Sequence, residues 1–126
     1  MILDSTALIW AVEEPTKLSL PAAAAIKDPA NDLLLGAGTL WEIAIKVGLR
    51  KLALSRPYRE WIEKAIADLG PELLPITVEY AEAQAALPTH LRDPFDRFVV
   101  AQSQVDGAPI VSADAALDRY GVARIW

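Results

Sequence analysis

The sequence predicts an α/β fold in which a mainly parallel sheet is covered by helices on both faces. Short apolar runs of strand length alternate with longer segments of helical period along the whole chain. No internal repeat or low-complexity linker breaks that alternation. At 126 residues and 53% hydrophobic content, residues 1–126 fit one domain that can bury a core without covalent staples.

Ile2-Leu3-Asp4 reads as a very short buried strand, and Ser5 to Val12 as the helix that follows it and ends before Pro15. Pro21 to Lys27 is alanine-rich, with Pro in its first turn and Asp28-Pro29 behind it, which makes a short helix. Asp32 to Gly36 is too brief an apolar run for a helix and reads as a strand. Leu40, Trp41, Ala44, Ile45 and Val47 recur at helical spacing before Gly48, as do Trp61, Ile62, Ala65, Ile66 and Leu69 before Gly70. A basic stretch with Arg50, Lys51 and Arg56 joins these two helices. Leu73 to Ile76 contains Pro75 and therefore belongs at a sheet edge. Val78 to Leu87 is a helix stopped by Pro88, and Phe95 to Val105 a helix closed by Gly107. Pro109 to Val111 is a strand, Ser112 to Tyr120 a short helix or turn, and Val122 to Trp126 a last strand.

The absence of cysteine rules out disulfides and thiolate metal sites, so a metal must sit on oxygen or on the single His90. The start meets Asp4 after only three residues and lacks the basic and apolar regions of a signal peptide, and no later run reaches spanning length. The expectation is a cytoplasmic protein with no membrane partner. Seventeen acids against twelve bases give a formal charge of −5, the wrong sign for a broad nucleic-acid-binding surface. Carboxylates gathered around cations would reverse the field locally, so the charge argues against a simple binding module more than against a metal-dependent nuclease.

In a parallel sheet ligands collect beyond the carboxyl ends of the strands, which singles out the acids there. Asp4 ends the first strand, where it fits an N-cap as well as a ligand. Glu42 completes a capping-box pattern, Thr39-Leu40-Trp41-Glu42. Asp93 before Pro94 is a good N-cap, which puts Asp96 at the third helical position, free to face a site. Asp114 follows the strand through Val111, while Asp118 lies a turn further on and faces solvent. Each acid alone is explained by capping. Their shared edge instead suits a hard cation such as Mg²⁺ or Mn²⁺, without which the cluster would repel itself.

Four blocks resemble a known family. Met1 to Trp10, Leu40-Trp41-Glu42-Ile43-Ala44-Ile45-Lys46, Arg92-Asp93-Pro94-Phe95-Asp96-Arg97-Phe98-Val99-Val100-Ala101-Gln102 and Val111-Ser112-Ala113-Asp114 are similar, in order, to the signature blocks of PIN-domain ribonucleases. The branch they resemble is the VapC-like toxins of VapBC-type toxin–antitoxin systems. Ser112 stands where threonine is frequent, and Val99-Val100 replace larger aliphatic residues. The resemblance implies a three-layer α/β/α sandwich and an endoribonuclease using Mg²⁺ or Mn²⁺. Its metal-binding and catalytic carboxylates would be Asp4, Glu42, Asp96 and Asp114. It also implies an RNA substrate, a homodimer and a cognate antitoxin that blocks the site.

Ser5 and Ser112 lie beside these acids as hydroxyls able to bond a phosphate or an activated water, and Asp93 as a cap or supporting group. Lys46, Arg50, Lys51, Arg92 and Arg97 are candidate phosphate contacts, although Lys46 is also spaced for an i,i+4 ion pair with Glu42. His90 reads as a local packing residue, and Trp10, Trp41, Trp61 and Trp126 as core. The stripes at Ala22 to Ile26 and Trp61 to Leu69 leave apolar surface for an antitoxin groove. Two alternatives remain: a non-catalytic module whose carboxylates only cap helices, and a metal-dependent phosphatase, which would need a second acid two residues after Asp4, where Thr6 stands.

Overall fold

The computed structural model describes all of residues 1–126. Five strands, β1 (Ile2–Leu3), β2 (Leu34–Gly36), β3 (Glu72–Leu74), β4 (Ile110–Val111) and β5 (Arg124–Ile125), form one sheet in the order β3-β2-β1-β4-β5. Every neighbouring pair is parallel, with Ile2 opposite both Leu34 and Ile110. The strand carrying Leu73 is an edge, as Pro75 required. From β1 the chain builds outward through β2 to β3, then returns to add β4 and β5 on the other side. The order therefore reverses between β1 and β4, the place where a parallel sheet opens a crevice at its carboxyl edge.

Side-chain alternation along these short strands sorts the core into two layers. Leu3 and Val111 point into one cluster with Ala7, Leu8, Ala22, Ile43, Trp61 and Ala65. Ile2 and Ile110 point the other way, into a cluster with Leu87, Val99, Val100, Leu117 and Tyr120. The first layer is built by α1 (Ser5–Glu13), α2 (Leu20–Lys27), α3 (Ala37–Gly48) and α4 (Tyr58–Leu69). The second is built by α5 (Val78–Ala86), α6 (Pro94–Asp106) and a 3-10 turn over Ala115–Tyr120. This is the three-layer α/β/α sandwich.

Two tryptophans correct the expectations. Trp61 is 1% exposed and its indole donates to Glu13 Oε1 at 2.6 Å, so with Ile62 it is core and lines no partner groove. Its stripe is covered from within, because the segment before α4 folds back on α1, where the Ser55 amide also donates to Glu13 (2.8 Å). Trp41, expected inside, is 58% exposed and packs edge-on against Phe95. Leu40 and Ile43 take the inner face of α3, and Trp41 falls on the outer one. Trp10 and Trp126 pack on each other, and His90 sits edge-on to Tyr120.

Candidate metal centre

Asp4 continues β1 by one residue, its amide donating to Val111 O at 3.3 Å, and then caps α1, its Oδ1 accepting the Ala7 amide at 2.7 Å. The residue is 9% exposed. Burial pushes its pKa up, bonds from Ser112 and the Ala7 amide work against that, and the charges of Glu42 and Asp114 add to the rise.

Glu42 does not cap its helix. The capping-box pattern misplaces the start of α3, which begins at Ala37, directly off β2, with Gly36 as N-cap; Thr39 and Glu42 are both interior helical residues. Glu42 is instead a buried carboxylate whose Oε2 accepts Ser5 Oγ at 2.7 Å and Lys46 Nζ at 2.6 Å. The i,i+4 ion pair is present, with Lys46 half-exposed. Burial works against the charge on Lys46, but the bond to Glu42 and the charges of Glu42, Asp93 and Asp96 outweigh it and raise its pKa.

The register of α6 follows capping rules. Asp93 is the N-cap, its Oδ1 accepting the amides of Phe95 (2.8 Å) and Asp96 (3.1 Å), and Pro94 is the first helical residue. Asp96 accepts no backbone amide. Its pKa is raised to about 7, first by burial and then by the charges of Asp93, Glu42, Asp4 and Asp114. Asp114 is exposed and caps the 3-10 turn, accepting the Ala116 amide at 2.9 Å, while its own amide donates to Ser112 Oγ at 3.0 Å.

Asp4, Asp93 and Asp114 therefore cap helices, whereas Glu42 and Asp96 cap nothing; Glu42 is held by Ser5 and Lys46, and the Asp96 carboxyl has no bonded partner that accounts for it. The closest group is Glu42, Asp93 and Asp96, with one oxygen of each within 4.8 Å of the others. Oxygens sharing one cation at about 2.0–2.6 Å must lie within about 4–5 Å of one another, so this set fits a hard divalent ion. Asp4 and Asp114 do not enter that close group; they surround it by charge. Sequence reasoning placed Asp93 as a cap or supporting group. Its position in the close group follows from α3 crossing α6, which local capping signals do not encode.

A crossing contact fixes that geometry. A Cβ on Gly36 would lie 2.7 Å from Oε1 of Gln102, and one on Gly38 would lie 3.4 Å from the Phe98 ring. With Trp41 on Phe95, the start of α3 runs antiparallel along α6 and brings Glu42 to the mouth of that helix. Gln102 is fully buried and its carboxamide has no hydrogen-bond partner, a cost accepted at this junction.

Arg97 contacts no site. Its guanidinium donates to Pro88 O (2.9 Å), Leu91 O, Gln84 O (3.2 Å), Leu87 O and Tyr120 Oη, tying the end of α5 and the following loop to α6. So occupied, it is not free to hold a phosphate. Asp118 is exposed and paired with Arg124 (2.7 Å).

The family model described as PIN domain matches residues 1–123. The chain belongs to the PIN-domain family. Among curated proteins it is 29% identical over 118 residues to Ribonuclease VapC22 of Mycobacterium tuberculosis, covering 93% of this chain and 88% of that one. Among solved structures, FitAcB from Neisseria gonorrhoeae shares the fold at a TM-score of 0.70 and 15% identity, over 98% of this chain and 94% of that one. FitAB bound to an IR36 DNA fragment matches at 0.65 and 17%, over 98% and 92%. In this PIN domain the acids of all four sequence blocks meet at the carboxyl edge of the sheet, beside the point where strand order reverses. No helix is long and apolar enough to cross a membrane.

Proposed function

We propose that this PIN domain is a Mg²⁺- or Mn²⁺-dependent endoribonuclease and the toxin of a VapBC-type pair, formed by residues 1–126 as one domain. The observation that carries the reading is the grouping of Glu42, Asp93 and Asp96 within 4.8 Å, with the charges of Asp4 and Asp114 around it. The similarity to a protein named as a ribonuclease supports the substrate class. Glu42, Asp93 and Asp96 would hold the divalent ion, which would supply positive charge to bind a phosphodiester and make a water a better nucleophile.

The chain's own residues prepare that site. Ser5 and Lys46 fix the Glu42 carboxylate from α1 and α3, so one of its oxygens is oriented before anything binds. Asp93 holds the mouth of α6 in shape and adds charge. Asp4, held by the Ala7 amide and Ser112, fixes the negative wall at the end of β1. Asp96, with a pKa of about 7, holds a proton near neutrality and releases it when positive charge arrives. The same reading gives the protein a cognate antitoxin, a homodimeric state and a cytoplasmic location.

The test is incubation of the purified chain with a total RNA pool. Cleavage is expected with Mg²⁺ or Mn²⁺, and its loss with chelator or in folded Asp96→Asn. Specific cleavage that survives chelation overturns the metal dependence; no cleavage of any RNA with either metal overturns the ribonuclease reading.

A further inference from the structure

An acidic protein that acts on a polyanion needs cations placed beside its site, and the charge along this chain is strongly partitioned. Between Ile43 and Arg59 there are five basic residues, Lys46, Arg50, Lys51, Arg56 and Arg59, and no acid. With a net charge of −5 overall and +5 here, the rest of the chain carries −10.

This segment starts at the candidate centre, where Lys46 is bonded to Glu42. As α3 ends, the Arg50 amide donates to Val47 O (3.1 Å) and the Lys51 amide to Lys46 O (2.9 Å). In such a helix ending glycine is the usual residue at the left-handed position. Here it is Arg50, at φ 56, the one non-glycine residue of the chain with positive φ. A cationic side chain is thus presented at a backbone position that strains any L residue. Lys51 and Leu52 next face α1 across an open hollow of about 300 Å³, whose walls also include Thr6, Trp10 and Lys46. The Ser55 amide then pins the segment to Glu13, eight residues beyond Ser5 and so about 12 Å along α1. Lys46 and Arg59 have carboxylate partners; Arg50, Lys51 and Arg56 have none.

We propose that the segment from Lys46 to Arg56 is the track on which a single RNA strand runs from the carboxylate cluster along α1. Phosphates lie on Arg50, Lys51 and Arg56, and a base rests in the hollow against Trp10 and Leu52. This rests on the reading of the site as an RNA-cleaving centre and names the face by which its substrate is held. The unpaired cations favour a polyanion over a protein segment as the occupant; at the mouth of α6 Arg97 is already consumed by carbonyls, which leaves a single exposed cation there, Arg92, against three along this segment.

The test is anisotropy of a fluorescein-labelled single-stranded RNA of mixed sequence, titrated over a monovalent-salt series with the full chain carrying Asp96→Asn, without divalent ions. Lys51→Glu and Arg56→Glu are each expected to weaken binding and to flatten the log–log salt dependence by about 0.7 for each phosphate that is no longer neutralised. Lys27→Glu makes the same charge change at the end of α2, beside the amino ends of β2 and β3 and so away from the carboxyl edge, and should leave the slope as it was. Arg50→Gly relieves the backbone, so it should bind RNA more weakly while melting no lower than its parent; this variant keeps the test valid even if a charge reversal unfolds the chain. Equal slopes for all the variants overturn the track and leave the segment to a protein partner. Failure of the unmutated chain to cut any RNA with Mg²⁺ or Mn²⁺ instead overturns the underlying reading, so the two failures are distinct.

Discussion

Asp93 accepts the backbone amide of Asp96 at 3.1 Å, and at the same time its charge helps hold the proton on the Asp96 carboxyl. One aspartate thus builds the helix mouth and loads the residue standing in it. The arrangement is costly while the carboxylates have no counter-charge and becomes favourable when a cation arrives.

That cost sets a pH dependence. Asp96 has a pKa of about 7 in the folded chain against about 3.9 when unfolded. Between these values the native state binds more protons than the unfolded one, so stability without metal falls as pH rises toward and through 7. Metal-free protein should melt lower at pH 8 than at pH 5.5, and Asp96→Asn should melt higher than the parent at pH 8. Thermal unfolding in chelator at both pH values checks this; an Asn variant that melts at or below the parent at pH 8 contradicts it.

Asp93 and Asp96 should separate by substitution. Asn caps a helix about as well as Asp, whereas Ala forfeits about 1 kcal/mol. Asp93→Asn should therefore keep the stability of the fold and lose part of the metal affinity, while Asp93→Ala loses both. Asp96→Asn, which removes no cap, should lose cleavage almost entirely. Denaturant melts and cleavage rates on the three variants check the order; Asp93→Asn inactive beside active Asp96→Asn would reverse the assignment.

The contact between Gly36 and Gln102 should behave as a lock between α3 and α6. A methyl at position 36 meets Gln102 Oε1 at 2.7 Å, and overpacking of this kind costs about 1–3 kcal/mol. Gly36→Ala should destabilise the chain, and adding Gln102→Ala should restore much of the stability by making room. A double-mutant cycle in denaturant measures the coupling; purely additive effects would show that the two residues do not oppose each other.

Much of the fold was legible because its signals are local. Pro94 behind Asp93, Gly107 and Gly70 behind their helices, and Pro75 at an edge each act within a few residues, and the alternation of elements did the rest. The failures share a cause. Thr39 to Glu42 satisfies a local pattern, but α3 starts three residues earlier because β2 runs straight into it at Gly36. Trp61 and Trp41 both sit in apolar periodicity, and only the packing of α1 on one and the edge of α6 beside the other decides which is buried. Arg97 is bound by carbonyls from α5 and its loop, and Asp93 joins Glu42 only through the crossing of α3 and α6. Neither contact exists until the layers assemble.

The central claim is that Glu42, Asp93 and Asp96 form a divalent-cation site. Calorimetric titration of Mn²⁺ at pH 8, where Asp96 is ionised, tests it most directly on the parent, Glu42→Gln and Asp96→Asn, each first shown to be folded. The account predicts saturable binding to the parent, weaker at pH 6, and its loss in both variants. Mn²⁺ binding of equal affinity in all three proteins would contradict it.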